Sequence, residues 1–204
     1  MSRSVFWSLV RKDLYINRGI IIAIIVVGVL SWLLMGQGGK ALAVGGVLFL
    51  TANVAGAIFL AVISLLGERR DQARLFALSL PVSGRAYGLS KLTSGYLGFG
   101  IPWLLLTTLV IGAMLLKGGA GRGMVVYALL IQLFVMAQFS VALAAYFSVV
   151  SEATSGIVIL AVNIALSLFM MLVNQPEITA PWKGEALVWT PFARTVLARE
   201  LLVI

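Results

Sequence analysis

"LLGERRDQARLFALSLPVSGRAYGLSKL", residues 65 to 92, stands between two apolar runs, and whether those runs are buried cores or membrane spans decides the fold. The chain has 204 residues, of which 61% are hydrophobic and 11% charged, and its mean hydropathy is +1.09. One soluble core of that size does not hide so much apolar surface, so the runs read as spans. Bilayer-crossing helices need about 17 to 25 apolar residues. By that length, spans fall at 19–35, 42–66, 92–116, 124–149 and 154–173. The expectation is an all-α integral membrane protein, a polytopic helical bundle with five visible transmembrane helices.

Charge then orients the spans. Arg3, Arg11, Lys12 and Arg18 precede the first, and Arg69, Arg70, Arg74, Arg85 and Lys91 lie between the second and third. An even number of crossings separates these two groups, so both belong on the cytoplasmic side of a plasma (inner) membrane, with the amino terminus inside. Lys40, Lys117 and Arg122 make a smaller load on the other side. The net charge of +8 therefore writes topology. It does not mark a nucleic-acid partner, because no basic, aromatic-studded soluble module is present. The first apolar run is longer than a secretory signal core, and Lys40 crowds the cleavage-like Ala41-Leu42-Ala43, so it is expected to be retained.

Ahead of that run, residues 1–18 have helical amphipathicity. Ser4, Ser8, Arg11, Lys12, Tyr15 and Arg18 share one arc, and Val5, Phe6, Trp7, Leu9, Val10 and Leu14 the rest. Such a helix lies in the interface plane against membrane lipids, with Trp7, Arg11 and Lys12 at the boundary. Asp13 projects from the apolar arc. It either reaches headgroups or a nearby cation, or meets another protein segment that satisfies it.

Segment 67–85 joins spans two and three. Glu68 to Leu80 contains good helix formers and no Gly or Pro, and Pro81 ends it. Its first half carries Glu68, Arg69, Arg70 and Arg74, and its second half Leu75, Phe76, Leu78 and Leu80. A helix across the membrane face that presents side chains to a soluble partner uses both halves; a helix merely resting on headgroups is the plainer alternative. Ser83 stands where a cap of the next helix is expected.

The layout resembles the permease subunits of ABC-2 type exporters. An acidic residue after span two, a short apolar stretch, Leu-Pro-x-Ser, a basic residue and a Lys near the next helix are matched by Glu68, Leu78, Leu80, Pro81, Ser83, Arg85 and Lys91. The resemblance implies that 67–85 is a cytoplasmic coupling helix docking on a separate ATP-binding cassette ATPase subunit. The docking residues would be Glu68, Arg69, Arg70, Arg74, Leu75, Phe76, Leu78 and Pro81, with Glu152 in a second, smaller contact. It also implies that residues 1–18 form a connecting helix, that two permease copies, alike or related, act together, and that the family's six spans are one more than the five visible.

The remainder, 174–204, is an extracytoplasmic segment or the approach to a sixth span. Thr190-Pro191 begins a helix well, but Arg194, Arg199 and Glu200 interrupt it. The closing "LLVI" reads as the start of a sixth span that would continue past residue 204, a five-span variant being the alternative.

No catalytic or metal site is expected in this chain. It has no Cys and no His, and its carboxylates form no paired motif. No G-x-x-x-x-G-K-[ST] phosphate loop occurs, so ATP and Mg belong to the partner subunit. Asn53, Gln132, Gln138 and Asn163 are amides inside spans, each expected to face another helix or a translocation path. Trp32 and Trp182 read as interface aromatics. The spans show no central ionisable residue of the kind ion-coupled carriers use. The functional expectation is the permease of an ATP-driven exporter, ahead of a secondary transporter or channel, or a non-transporting membrane assembly protein.

Overall fold

The computed structural model describes residues 3–70, 84–117, 122–148 and 152–204, with side chains over 5–61, 84–116, 122–145 and 156–204. Among the described residues there is no strand. In hydrocarbon a backbone has no water to bond, so each segment must satisfy its own N–H and C=O groups, and the helix does this locally. The helices are α1 (Arg3–Ile16), α2 (Arg18–Met35), α3 (Gly39–Arg70), α4 (Gly84–Lys117), α5 (Met124–Ser148) and α6 (Glu152–Val173). A short α7 (Pro176–Thr179), a 3₁₀ turn (Ala180–Trp182) and α8 (Pro191–Val203) follow. Helices α2 to α6 each contain a stretch long and apolar enough to cross a membrane, which makes this a multi-pass, all-α membrane protein.

Two helices run past the apolar stretches. Helix α3 continues through Glu68 to Arg70, and α4 begins at Gly84, ahead of the apolar run that opens at Leu92. Charge ends a hydropathic run without ending a helix, since Glu and Arg are good helix formers. At 32 and 34 residues, these helices are about 48 and 51 Å long, well beyond the roughly 30 Å of a hydrocarbon core.

The chain forms two compact units, residues 1–102 and 103–204, with the boundary in the sequence at Pro102 inside α4. Pro102 has no N–H to offer the carbonyl of Gly98, and its ring crowds that carbonyl, so the helix ladder is weakest there.

In the first unit α2 and α3 form an antiparallel hairpin. Gly38 and Gly39 turn the chain at φ of +75° and +54°, a region that side chains with a Cβ rarely adopt. A Cβ at Gly45 would stand 2.8 Å from both the Ser31 carbonyl and the Met35 amide nitrogen, and one at Gly56 would stand 2.5 Å from the Ile24 side chain. Gly45 lets the two backbones approach closely and Gly56 leaves room for the Ile24 side chain, the usual ways membrane helices gain dispersion contact. Phe49, Asn53 and Leu60 continue the same buried face of α3.

The second unit is built on α5. Val126, Leu130, Val135, Phe139 and Leu143 are almost wholly buried, and α5 is flanked by α6 and α8. Helix α6 runs antiparallel to α5. Tyr127 Oη donates to Asn174 Oδ1 at 2.8 Å, the Phe134 and Phe169 rings stack at 3.9 Å, and Gln138 Nε2 donates to the Val162 carbonyl at 2.7 Å.

Residues 176–190 close over the start of α5. Trp182 is fully buried; its Nε1 donates to the Val188 carbonyl at 3.0 Å and its ring tilts against Tyr127. The expectation of an interface aromatic is corrected here: this indole finds its acceptor inside the protein and forms the centre of a small cap. Gly123 donates to the Gly184 carbonyl at 3.2 Å, and a Cβ there would strike the Trp182 and Gly184 carbonyls. Thr190 Oγ1 accepts from the Ala193 amide at 3.1 Å, and Pro191 occupies the first turn of α8, the start that Thr190-Pro191 predicts.

Candidate functional site

Within the first unit, one face of α4 meets α1. Val10, Asp13 and Asn17 recur at three- and four-residue steps along the end of α1, and all are buried. On α4, Ser90, Lys91 and Ser94 are buried as well. Lys91 Nζ donates to Asp13 Oδ1 at 2.8 Å, and Ser94 Oγ donates to Asp13 Oδ2 at 3.1 Å. Both ion-pair side chains are 6% exposed. Lys12 Nζ stands 3.9 Å from the same carboxylate but is half exposed, so Lys91 is the principal partner. Lys91 also lies over the Tyr87 ring at 5.6 Å.

Around this pair the packing is close. Asn17 Nδ2 donates to the Asp13 carbonyl at 2.9 Å, securing the junction of α1 and α2. A Cβ on Gly98 would lie 3.6 Å from Leu14 and 3.7 Å from Ile21, ordinary contact distances. Of the two readings of Asp13, the structure therefore presents contact with another protein segment. The other residues singled out on α1, Trp7, Arg11 and Lys12, are exposed, and Phe6 meets Trp7 edge to face.

The span amides divide. Asn53 is fully buried and its Nδ2 donates to the Phe49 carbonyl, while its Oδ1 has no partner among the described residues. Gln132 is buried where α4 and α5 meet; its carbonyl accepts from Trp103 Nε1 at 2.8 Å, and its Oε1 from Thr107 Oγ1 at 3.4 Å. Gln138 ties α5 to α6 through Val162. Asn163 alone of the four is exposed, its Nδ2 returned to the Ile159 carbonyl and its own carbonyl accepting from Ser167 Oγ. Gln132 and Gln138 thus act as interhelical struts, and Asn163 presents a polar edge outward from α6.

Among the docking residues expected from the sequence, Glu68, Arg69 and Arg70 lie on the last turn of α3 and Glu152 opens α6. Arg74, Leu75, Phe76, Leu78 and Pro81 lie outside the described residues.

Sequence reasoning missed Glu200 as a buried group. Arg194 and Arg199 are exposed, whereas Glu200 is 5% exposed with neither carboxylate oxygen hydrogen-bonded among the described residues. Burial pushes its carboxyl up to about 8. The signal was present: Ala193, Val196, Leu197 and Glu200 recur at helical spacing, so the acid shares the apolar stripe of α8. Among the described residues no three acidic side chains gather as a metal site would require.

Comparison with known proteins places this architecture. A family model described as ABC-2 family transporter protein matches residues 8–191, which runs from within α1 to the first residue of α8 and takes in segment 67–85. No curated protein and no solved structure matches the chain. The match covers most of the chain, and the five spanning helices agree with it: the chain belongs to the ABC-2 transporter family and is a membrane permease of an ABC transporter.

Proposed function

We propose that this chain is the translocating subunit of an ATP-driven exporter and works as a pair of permeases with two cytoplasmic ATP-binding subunits. The observation that carries the proposal is the family match over residues 8–191 in a sequence without a phosphate loop of its own. Membrane components of this family imply an ATPase partner in general. ATP and Mg are then bound by that partner, and this chain catalyses no step. Positive-inside charge puts the amino terminus and segment 67–85 in the cytoplasm of an inner-membrane protein.

Segment 67–85 is the docking element, with the charged Glu68, Arg69, Arg70 and Arg74 and the apolar Leu75, Phe76, Leu78 and Pro81 facing the partner, and Glu152 forming a smaller contact. Nucleotide binding closes the ATPase pair, the docked segment moves with it, and the spans exchange inward-facing for outward-facing arrangements. The exposed Asn163 on α6 supports a polar lining of the path, whereas the internal bonds of Gln132 and Gln138 support a bracing role for those two. Asn53, with one amide oxygen unpartnered among the described residues, remains a path candidate if α3 repacks during transport.

The test is purification from the native membrane in mild detergent, with the accompanying proteins identified by intact mass. A soluble ATP-binding subunit is expected with the natural chain and is expected to be lost with Phe76→Asp. Substrate flux in vesicles holding the chain without any ATPase would instead favour a secondary carrier or channel.

A further inference from the structure

The contact between α1 and α4 is more specific than an interfacial helix requires. A helix held on a bilayer by its apolar side needs no buried carboxylate, and a buried charge is unfavourable unless paired and hydrogen-bonded. Here Asp13 has both oxygens engaged by α4, one by Lys91 Nζ and one by Ser94 Oγ. Two directional bonds from groups three residues apart fix the rotation of α1 and its position along α4. Leu14 and Ile21 pack near Gly98 further along the same face. Lys91 lies only two turns after Gly84, where α4 emerges from segment 67–85.

We infer that Asp13, Lys91 and Ser94 form a transmission latch that makes α1 move as one body with the first turns of α4. The inference rests on the docking reading of segment 67–85: a displacement imposed there enters α4 at Gly84 and passes through the latch to α1, and from α1 across Asn17 to the α2–α3 hairpin. The three are positioning residues. They touch neither nucleotide nor substrate, and their work is to keep two helices from sliding past each other when one is pushed.

Because the sequence contains no Cys, single introduced thiols report chosen places. Arg11→Cys labels the exposed side of α1, and Leu89→Cys an exposed position on the second turn of α4. Each is labelled with an environment-sensitive fluorophore in the complex with the ATPase subunit, and ATP with vanadate is added. Both labels are expected to shift in the otherwise natural chain. In the Asp13→Leu/Lys91→Met background, which removes both charges together, the Leu89 label should still shift and the Arg11 shift should be lost.

Equal responses at both places in that background would overturn the latch, as would a natural-background complex in which Leu89 responds and Arg11 does not. If Leu89 itself fails to respond in the natural background, the docking reading falls and takes the latch with it. Should the double variant not fold, Asp13→Ala serves in its place, since it removes both acceptors that α4 engages and adds no bulk. A weakened Arg11 shift with Leu89 unchanged supports the latch, and an unchanged Arg11 shift overturns it.

Discussion

Breaking the Asp13–Lys91 pair from one side should destabilise the first unit far more than removing both charges. In Lys91→Met the carboxylate stays buried and loses its closest cation, 2.8 Å away. Removing one member of a buried pair typically costs about 3–5 kcal/mol, because the other charge is left uncompensated. Two groups reduce that figure here. Ser94 still donates at 3.1 Å, and Lys12, at 3.9 Å and half exposed, offers a screened charge. The expected loss for Lys91→Met is therefore about 2–4 kcal/mol. Asp13→Asn should lose less, since its amide oxygen still accepts from Lys91. Asp13→Leu/Lys91→Met leaves neither charge of the pair without the other, and the Ser94 hydroxyl can turn its proton to the Lys91 backbone carbonyl, 3.0 Å away, so that variant should lie within about 1 kcal/mol of the natural chain. Thermal unfolding in detergent, followed by intrinsic tryptophan fluorescence, orders the four proteins. A Lys91→Met midpoint equal to the natural one, or a double variant less stable than either single, would refute the reasoning that burial makes the lone charge costly.

Three further outcomes follow from other contacts. Gly45→Val should destabilise the α2–α3 hairpin by about 1–3 kcal/mol, because its Cβ meets the Ser31 carbonyl and the Met35 amide nitrogen, which cannot swing aside, as well as Met35 Cγ; Gly46→Ala, into open space, is the control in the same unfolding assay. With its carboxyl raised to about 8 from 4.5, Glu200 keeps a proton in the folded state that the unfolded chain releases, so its contribution falls as pH rises through that interval. Glu200→Gln should match the natural chain near pH 4.5 and be more stable by pH 8 to 9, and a gain that does not grow with pH counts against an uncompensated carboxyl. Trp182→Phe should loosen the cap by about 1 kcal/mol or more through loss of the bond to Val188, read as faster proteolysis within 176–190.

The span pattern was legible in the sequence because length and hydropathy alone determine which segments suit a bilayer. Where chemistry changes without a change in helical propensity, the reading stopped short. Glu68 to Arg70 end an apolar run and continue a helix, and Gly84 to Lys91 begin one before the apolar run opens. Asp13 was visible as an oddity on an apolar arc, but its partners stand 78 and 81 residues away, a separation no local periodicity encodes. Gln138 is similar: its acceptor is the Val162 backbone carbonyl, which carries no sequence signal. Trp182 looked like an interface aromatic because its position beside a span suits one. What draws it inward is the Val188 carbonyl and the closeness that Gly123 allows. Glu200 was the one miss the spacing itself would have caught.

The central claim is that segment 67–85 docks on an ATP-binding subunit, and site-specific photo-crosslinking in the native membrane tests it most directly. A photoreactive amino acid replaces Phe76, the membranes are irradiated, and adducts of this chain are identified by mass. An adduct with a protein that binds ATP, weakened when Arg74→Glu is added, is the predicted result. Adducts with lipid alone, or no protein adduct at Phe76 while a probe at the exposed Trp7 behaves the same way, would contradict it.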